Sequence, residues 1–183
     1  MRRISLTAAL ALVLFAAPMR GAPAADSAAE ITKNAQAALA SLYAQVPSAK
    51  AIGAKAVGIL VFPKVVKAGL GIGGQHGEGA MFKGGKATGF FDTSGASFGL
   101  QAGGQTYGYA LFFMNAKAIS DLEAAKGFEV GVGPTVVLMD EGKAKTMTTT
   151  TAKDDVYAFV FDQKGAMAGL GIQGNKISRI DPK

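Results

Sequence analysis

His76 is the one histidine of the chain, and Gln75-His76-Gly77-Glu78 sets it two residues from a carboxylate. A His-x-Glu pair is half of a metal site or of an acid/base couple. Zinc would need a second histidine or a thiolate, and nucleophilic catalysis would need a Gly-x-Ser-x-Gly elbow. The sequence has no second histidine and its cysteine count is 0, and its Gly95-Ala96-Ser97-Phe98-Gly99 run falls where a turn leads into a strand, not at the strand-to-helix turn an elbow needs. His76 therefore reads as a surface histidine in a turn. Asp154-Asp155, just ahead of a strand, reads as turn and edge charge. Gly69, Gly71 and Gly74 also satisfy G-x-G-x-x-G, with Asp92 at the distance a dinucleotide fold requires. That motif needs its last glycine to open a crossover helix. Gln75 to Gly89 carries Gly77, Gly79, Gly84, Gly85 and Gly89, each costing about 1 kcal/mol inside a helix. No helix fits, so no nucleotide or other cofactor is expected.

The lysines are more informative. No acidic residue falls between Glu30 and Glu78, whereas Lys33, Lys50, Lys55, Lys64 and Lys67 all do. Loss of Arg2, Arg3 and Arg20 with a targeting segment leaves 16 basic residues against 13 acidic, and the charges balance from Glu78 onward. The excess therefore sits in one segment. A helical turn over Pro63–Ala68 would put Lys64 and Lys67 on one face, with Val65 and Val66 beside it. Cations next to exposed apolar residues suit an anionic lipid surface, at about 1 kcal/mol per lysine. Lys50 and Lys55 are further candidates on charge alone. Nucleic acid is disfavoured, because this segment lacks arginine and aromatic clusters.

The elements that must position these residues follow from periodicity. Met1–Ala24 has the Arg2-Arg3 n-region, a short apolar run over Leu6–Ala17 and small residues at Ala22-Pro23-Ala24, the pattern of a cleaved export signal. Residues 25–47 form an amphipathic helix. Ser27 and Glu30 make a capping box, Ile31, Ala35, Ala38, Leu39, Leu42 and Val46 recur at helical spacing, and Pro47 ends it. Residues 48–183 are β-rich after a short helical piece.

The apolar run Val57–Phe62 leads into a ladder in which Gly69, Gly71 and Gly73 share one face of a strand. A glycine face fits where another backbone comes close. The ladder returns as Ala168-Gly169-Leu170-Gly171-Ile172. Further strands are expected at Gly79–Phe82, Thr88–Phe91, Ser97–Ala102, Tyr107–Phe113, Glu129–Val137, Ala144–Thr151, Val156–Phe161 and Ala168–Gln173. Turns fall at Gly84-Gly85, Asp92–Gly95, Asp140–Gly142 and Asp162–Gly165. One helix interrupts them, with Asn115 as N-cap, Ile119 and Leu122 inward, Lys126 in its last turn and Gly127 beyond. The fold class is α+β: a strongly curved, mainly antiparallel sheet or incomplete barrel flanked by helices.

The run KAVGILVFPKVVKAGLGIGGQHGEG at Lys55–Gly79, FGLQAGGQ at Phe98–Gln105, LFFMN at Leu111–Asn115 and GLGIQGNKI near the C-terminus resemble the SYLF lipid-binding domain family. The resemblance spans about Ile31 to Ile180. It implies association with anionic lipid or phosphoinositide head groups, with Lys64 and Lys67 of the PKVVKAG segment as first-choice contacts. Eukaryotic members also contact actin. The expected protein is an exported, periplasmic or envelope-associated lipid binder, not integral to the membrane, with no catalysis, metal or nucleic-acid partner. The alternative is a structural or protein-interaction component of the cell envelope. N-terminal sequencing of protein isolated from the envelope is expected to begin after Ala24, and an intact Met1 there would refute the export signal.

Overall fold

The computed structural model describes residues 26–124, 128–129, 136–139, 154–165 and 175–183. The side chains of 70, 71, 97–102 and 128–129 lie outside that description, as do the second glycine ladder, the Thr146–Thr151 run, Lys126 and Gly127.

Helix α1 spans Ala28–Gln45 and opens as the sequence dictates. The Ser27 hydroxyl accepts from the Glu30 amide, and the Glu30 carboxylate accepts from the Ser27 amide. Those bonds hold the Glu30 carboxyl below its ordinary pKa. Helix α2, Pro47–Gly53, carries Pro47 in its first turn, where the missing N–H goes unused. Helix α3, Ala116–Ala124, is capped by Asn115, whose Oδ1 accepts from the Ala118 amide.

Between the helices runs one long hairpin. Strand β1 covers Gly58–Lys83 and β2 covers Lys86–Phe113, paired antiparallel from Lys83↔Lys86 to Gly58↔Phe113. Gly84 and Gly85 make the two-residue turn, both with positive φ, as a hairpin turn of matching twist requires. The ladder strand and four further expected strands are thus parts of two continuous ones. Asp92–Gly95 is strand, not turn, because it pairs on one edge with β1 and on the other with β6, Lys176–Ile180. The second half of β2 pairs instead with β5, Val156–Gly165, so Asp162–Gly165 is also strand, with Asp162 at φ 52. Strand β3 (Phe128–Glu129) borders β6, and β4 (Val136–Met139) lies parallel to β5. The described strands form one open, mostly antiparallel sheet.

The hairpin is folded across itself near Gly69–Gly73. A Cβ on Gly69 would overlap the Gly73 backbone, and one on Gly79 would overlap the Val61 carbonyl. A Cβ on Gly77 would lie 2.6 Å from the Lys64 carbonyl oxygen and 2.9 Å from a Val65 methyl. The close approach expected of the ladder thus occurs, and it extends to glycines beyond it.

Side-chain alternation then produces two cores. Leu60, Phe62, Met81, Tyr109, Leu111, Phe113 and Val156 point into the fold, where Ile119 and Leu122 of α3 join them. Their neighbours Val61, Phe82, Phe112, Tyr157 and Phe159 point outward and are covered by Ile31, Ala35 and Leu42 of α1 and Ile52 of α2. The apolar face of α1 therefore packs on the sheet.

Gly77→Val is expected to destabilise the protein by about 1–3 kcal/mol through overpacking at the crossing. Gly74→Ala, whose Cβ would meet its nearest neighbour at 4.0 Å, should stay within about 0.5 kcal/mol of the parent in the same thermal melts. Equal losses would mean that the crossing does not need a bare backbone.

Candidate functional site

Pro63 has no N–H to give a ladder and sits at a break in β1–β2 register between Phe62 and Val65. This bulge decides where the lysines point. The expected helical turn over Pro63–Ala68 is extended strand instead, since the pairing with β2 resumes at Val65↔Tyr107 and continues through Lys67↔Gln105. A three-residue spacing that shares a helix face falls on opposite faces of a strand. Lys64, Val66 and Ala68 point outward, while Val65 and Lys67 point inward. Lys67 is only 8% exposed and Val65 is fully buried, so neither belongs to a surface patch.

The outward residues have exposed company. Val66 is 47% exposed, and Ile72, at the fold of the hairpin, is 70% exposed. Sequence reasoning placed Ile72 opposite a glycine face, but not at a bend, because nothing local marks where a continuous strand doubles back. A groove of about 640 Å³ runs between α1 and this part of β1, lined by Asp26, Asn34, Lys64, Val66, His76 and Glu78 among others. Two carboxylates that are distant in sequence thus come to line the groove with Lys64. The acid-free stretch is therefore not acid-free in space. Lys50 lies in the last turn of α2, where a cation complements the helix end, and Lys55 is exposed in the turn after it. Neither lines the groove. Among the described residues, no group of three His, Cys, Asp or Glu side chains forms a metal centre.

A second constellation lies inside. The inward face of the hairpin is apolar beside α3 and becomes polar toward the bend. Phe62 stacks on Tyr109 at 4.7 Å between ring centres. The Tyr109 hydroxyl donates to Thr93 Oγ1 at 2.6 Å, and Tyr107 donates to Gln75 Oε1 at 2.7 Å. Both bonds tie the first half of the hairpin to the second. Gln75 Nε2 donates onward to Asn175 Oδ1. Lys67 and Gln105 sit opposite each other one step further along the same inward face. Gln105 is 5% exposed and Asn175 1%, yet among the described residues Gln105 Oε1 has no hydrogen-bond partner. Each orphan of this kind costs about 1–3 kcal/mol.

Residues 94–181 match the family model described as Ysc84, Las17-binding protein actin regulator. Over that stretch, just under half of its length, the chain is similar to the SYLF family. The match begins within β2, so FGLQAGGQ and LFFMN lie inside it and the PKVVKAG segment lies ahead of it. β1 nevertheless pairs with β2 along its length, so the matched residues and the preceding strand are one structural unit. No curated protein matches the chain. The SYLF family is associated with lipid binding and protein interaction. No helix among the described residues is long and apolar enough to cross a membrane.

Burial raises the pKa of both Tyr107 and Tyr109 above the ordinary phenol value of 10.0. A raised folded-state pKa gives stability that is complete below the unfolded value and is lost as pH rises past it. Denaturant titrations are expected to show stability falling above pH 10.0. The fall should be shallower in Tyr109→Phe, and an identical slope in that variant would mean that the buried phenol does not drive it.

Proposed function

We propose that this protein docks on lipid surfaces, without catalysis, through the bend of the β1–β2 hairpin. The observation that carries the proposal is Ile72, highly exposed at the bend, with Val66 exposed on the strand that leads into it. Lys64 points out of the same strand face two residues before Val66. Similarity to the family supports the class of function, and the geometry supports this location.

Magnitudes rank the contributions. Burying a valine or isoleucine side chain contributes about 1.5–3 kcal/mol when complete. A lysine near an anionic surface contributes about 1 kcal/mol and is screened by salt. Two apolar side chains therefore outweigh one lysine, and Asp26 and Glu78 in the adjoining groove reduce the local positive field. Anionic lipid is the preferred surface through Lys64, while insertion of Ile72 and Val66 supplies most of the binding energy. Lys67 contributes nothing at this surface, and Lys50 and Lys55 add at most long-range attraction. The protein is proposed to act in the cell envelope after export.

Vesicle co-sedimentation tests this, with circular dichroism as the folding control. Ile72→Asp is expected to abolish most binding to vesicles containing phosphatidylglycerol, and Lys64→Glu to reduce it with a weaker salt dependence. Lys86→Glu, at the turn end of the hairpin away from the bend, should bind as the parent does. Unchanged binding of Ile72→Asp would end the proposal. Absence of vesicle binding by the parent would favour an envelope protein-interaction role instead.

A further inference from the structure

His76 stands on the outward face of the hairpin. Ile72, Gly74 and His76 alternate along that face as β1 leaves the bend, as Lys64, Val66 and Ala68 do on the way in. The two halves meet at Gly77, where a Cβ would lie 2.6 Å from the Lys64 carbonyl oxygen. His76 and Lys64 therefore sit at the same level behind the bend, and both line the groove of about 640 Å³. His76 is exposed there.

Charged groups surround the imidazole on each neighbouring element. Glu78 follows two residues along the same face of β1, Lys64 lies across the crossing, and Asp26 comes from the start of α1. On β2 the partner of His76 is Ser94, and Asp92 beside it is in register with Glu78. Lys176 of β6 pairs with Ser94 from the other edge. With a neutral ring, the three carboxylates outnumber the two ammonium groups. Glu78 and Asp92 are moreover directly opposite each other, where like charges are unfavourable. A proton on His76 brings the two signs into balance.

We infer that His76 makes docking pH-dependent, with protonation of its ring strengthening attachment to an anionic surface. The inference rests on the docking reading proposed above and adds its regulation. Histidine is the side chain whose charge ordinarily changes between about pH 5 and pH 8. The sign follows from linkage. An anionic surface favours the charged ring, so the docked protein holds more protons than the free protein, and binding tightens as pH falls. Insertion of Ile72 and Val66 carries no such dependence, because neither side chain titrates.

Vesicle co-sedimentation of the protein at about pH 7.5 and about pH 5.5 tests this, on vesicles of phosphatidylcholine with and without phosphatidylglycerol. The parent is expected to bind the phosphatidylglycerol vesicles about fivefold more tightly at the lower pH, the gain from one added cation near the surface. That step should vanish on phosphatidylcholine alone and shrink as salt rises. His76→Gln should lose the step, whereas His76→Lys, with a permanent charge, should bind tightly at both pH values. Glu78→Gln should strengthen binding at the higher pH and keep the step, since it removes a carboxylate and leaves the imidazole. Circular dichroism at both pH values is the folding control. An equal step in the parent and His76→Gln, or binding by the parent that ignores pH, overturns the inference and leaves the docking surface standing. Binding by the parent at neither pH overturns both.

Discussion

Backbone must pass close to backbone where the β1–β2 hairpin folds over itself, and the rest of the structure depends on that approach. Gly77 and Gly79 allow it by presenting no side chain to Val65 and Val61. With the halves crossed, alternate residues of each strand enter the inner core and their neighbours meet α1 and α2. The crossing also decides which strand joins which edge. β6 pairs with the first half of β2 and β5 with the second. A glycine-poor hairpin of this length would stay extended, and its two halves would have no common interior.

Much of this was legible in the residues. The capping box at Ser27, the proline stop at Pro47, the Asn115 cap and the Gly84-Gly85 turn all rest on local backbone chemistry, and all stand where local rules put them. The resemblance to the SYLF family agrees with the match over residues 94–181. What local rules missed was continuity. Asp92–Gly95 has turn-forming residues, yet ladder bonds on both edges override that preference. The separate strands expected on either side of it are one.

The candidate site was legible only in part, for the same reason. Lys64 and Val66 are exposed as expected, but Lys67 and Val65 are not. A helical turn and a bulged strand are hard to distinguish in Phe-Pro-Lys-Val-Val-Lys, since proline suits the start of one and the bulge of the other. The charge pattern was also misleading as a map of the surface. Asp26 and Glu78 lie on either side of the acid-free stretch, and the fold brings both to the groove that Lys64 lines. The interior cluster could not be anticipated, because Gln75, Gln105 and Asn175 meet only through pairings between strands far apart in sequence.

The two-residue turn at Gly84-Gly85 has a consequence for how the chain acquires its structure. Pairing starts at Lys83↔Lys86 and can lengthen one register step at a time toward Gly58↔Phe113, so the cost of each added loop stays small. The turn end of the hairpin is then the natural nucleus. The ends that carry α2 and α3 close later, and β6 joins from far along the chain. Changes near the turn should alter the folding rate, whereas changes near Gly58 and Phe113 should alter the unfolding rate. Stopped-flow kinetics on conservative variants at both ends would resolve that partition.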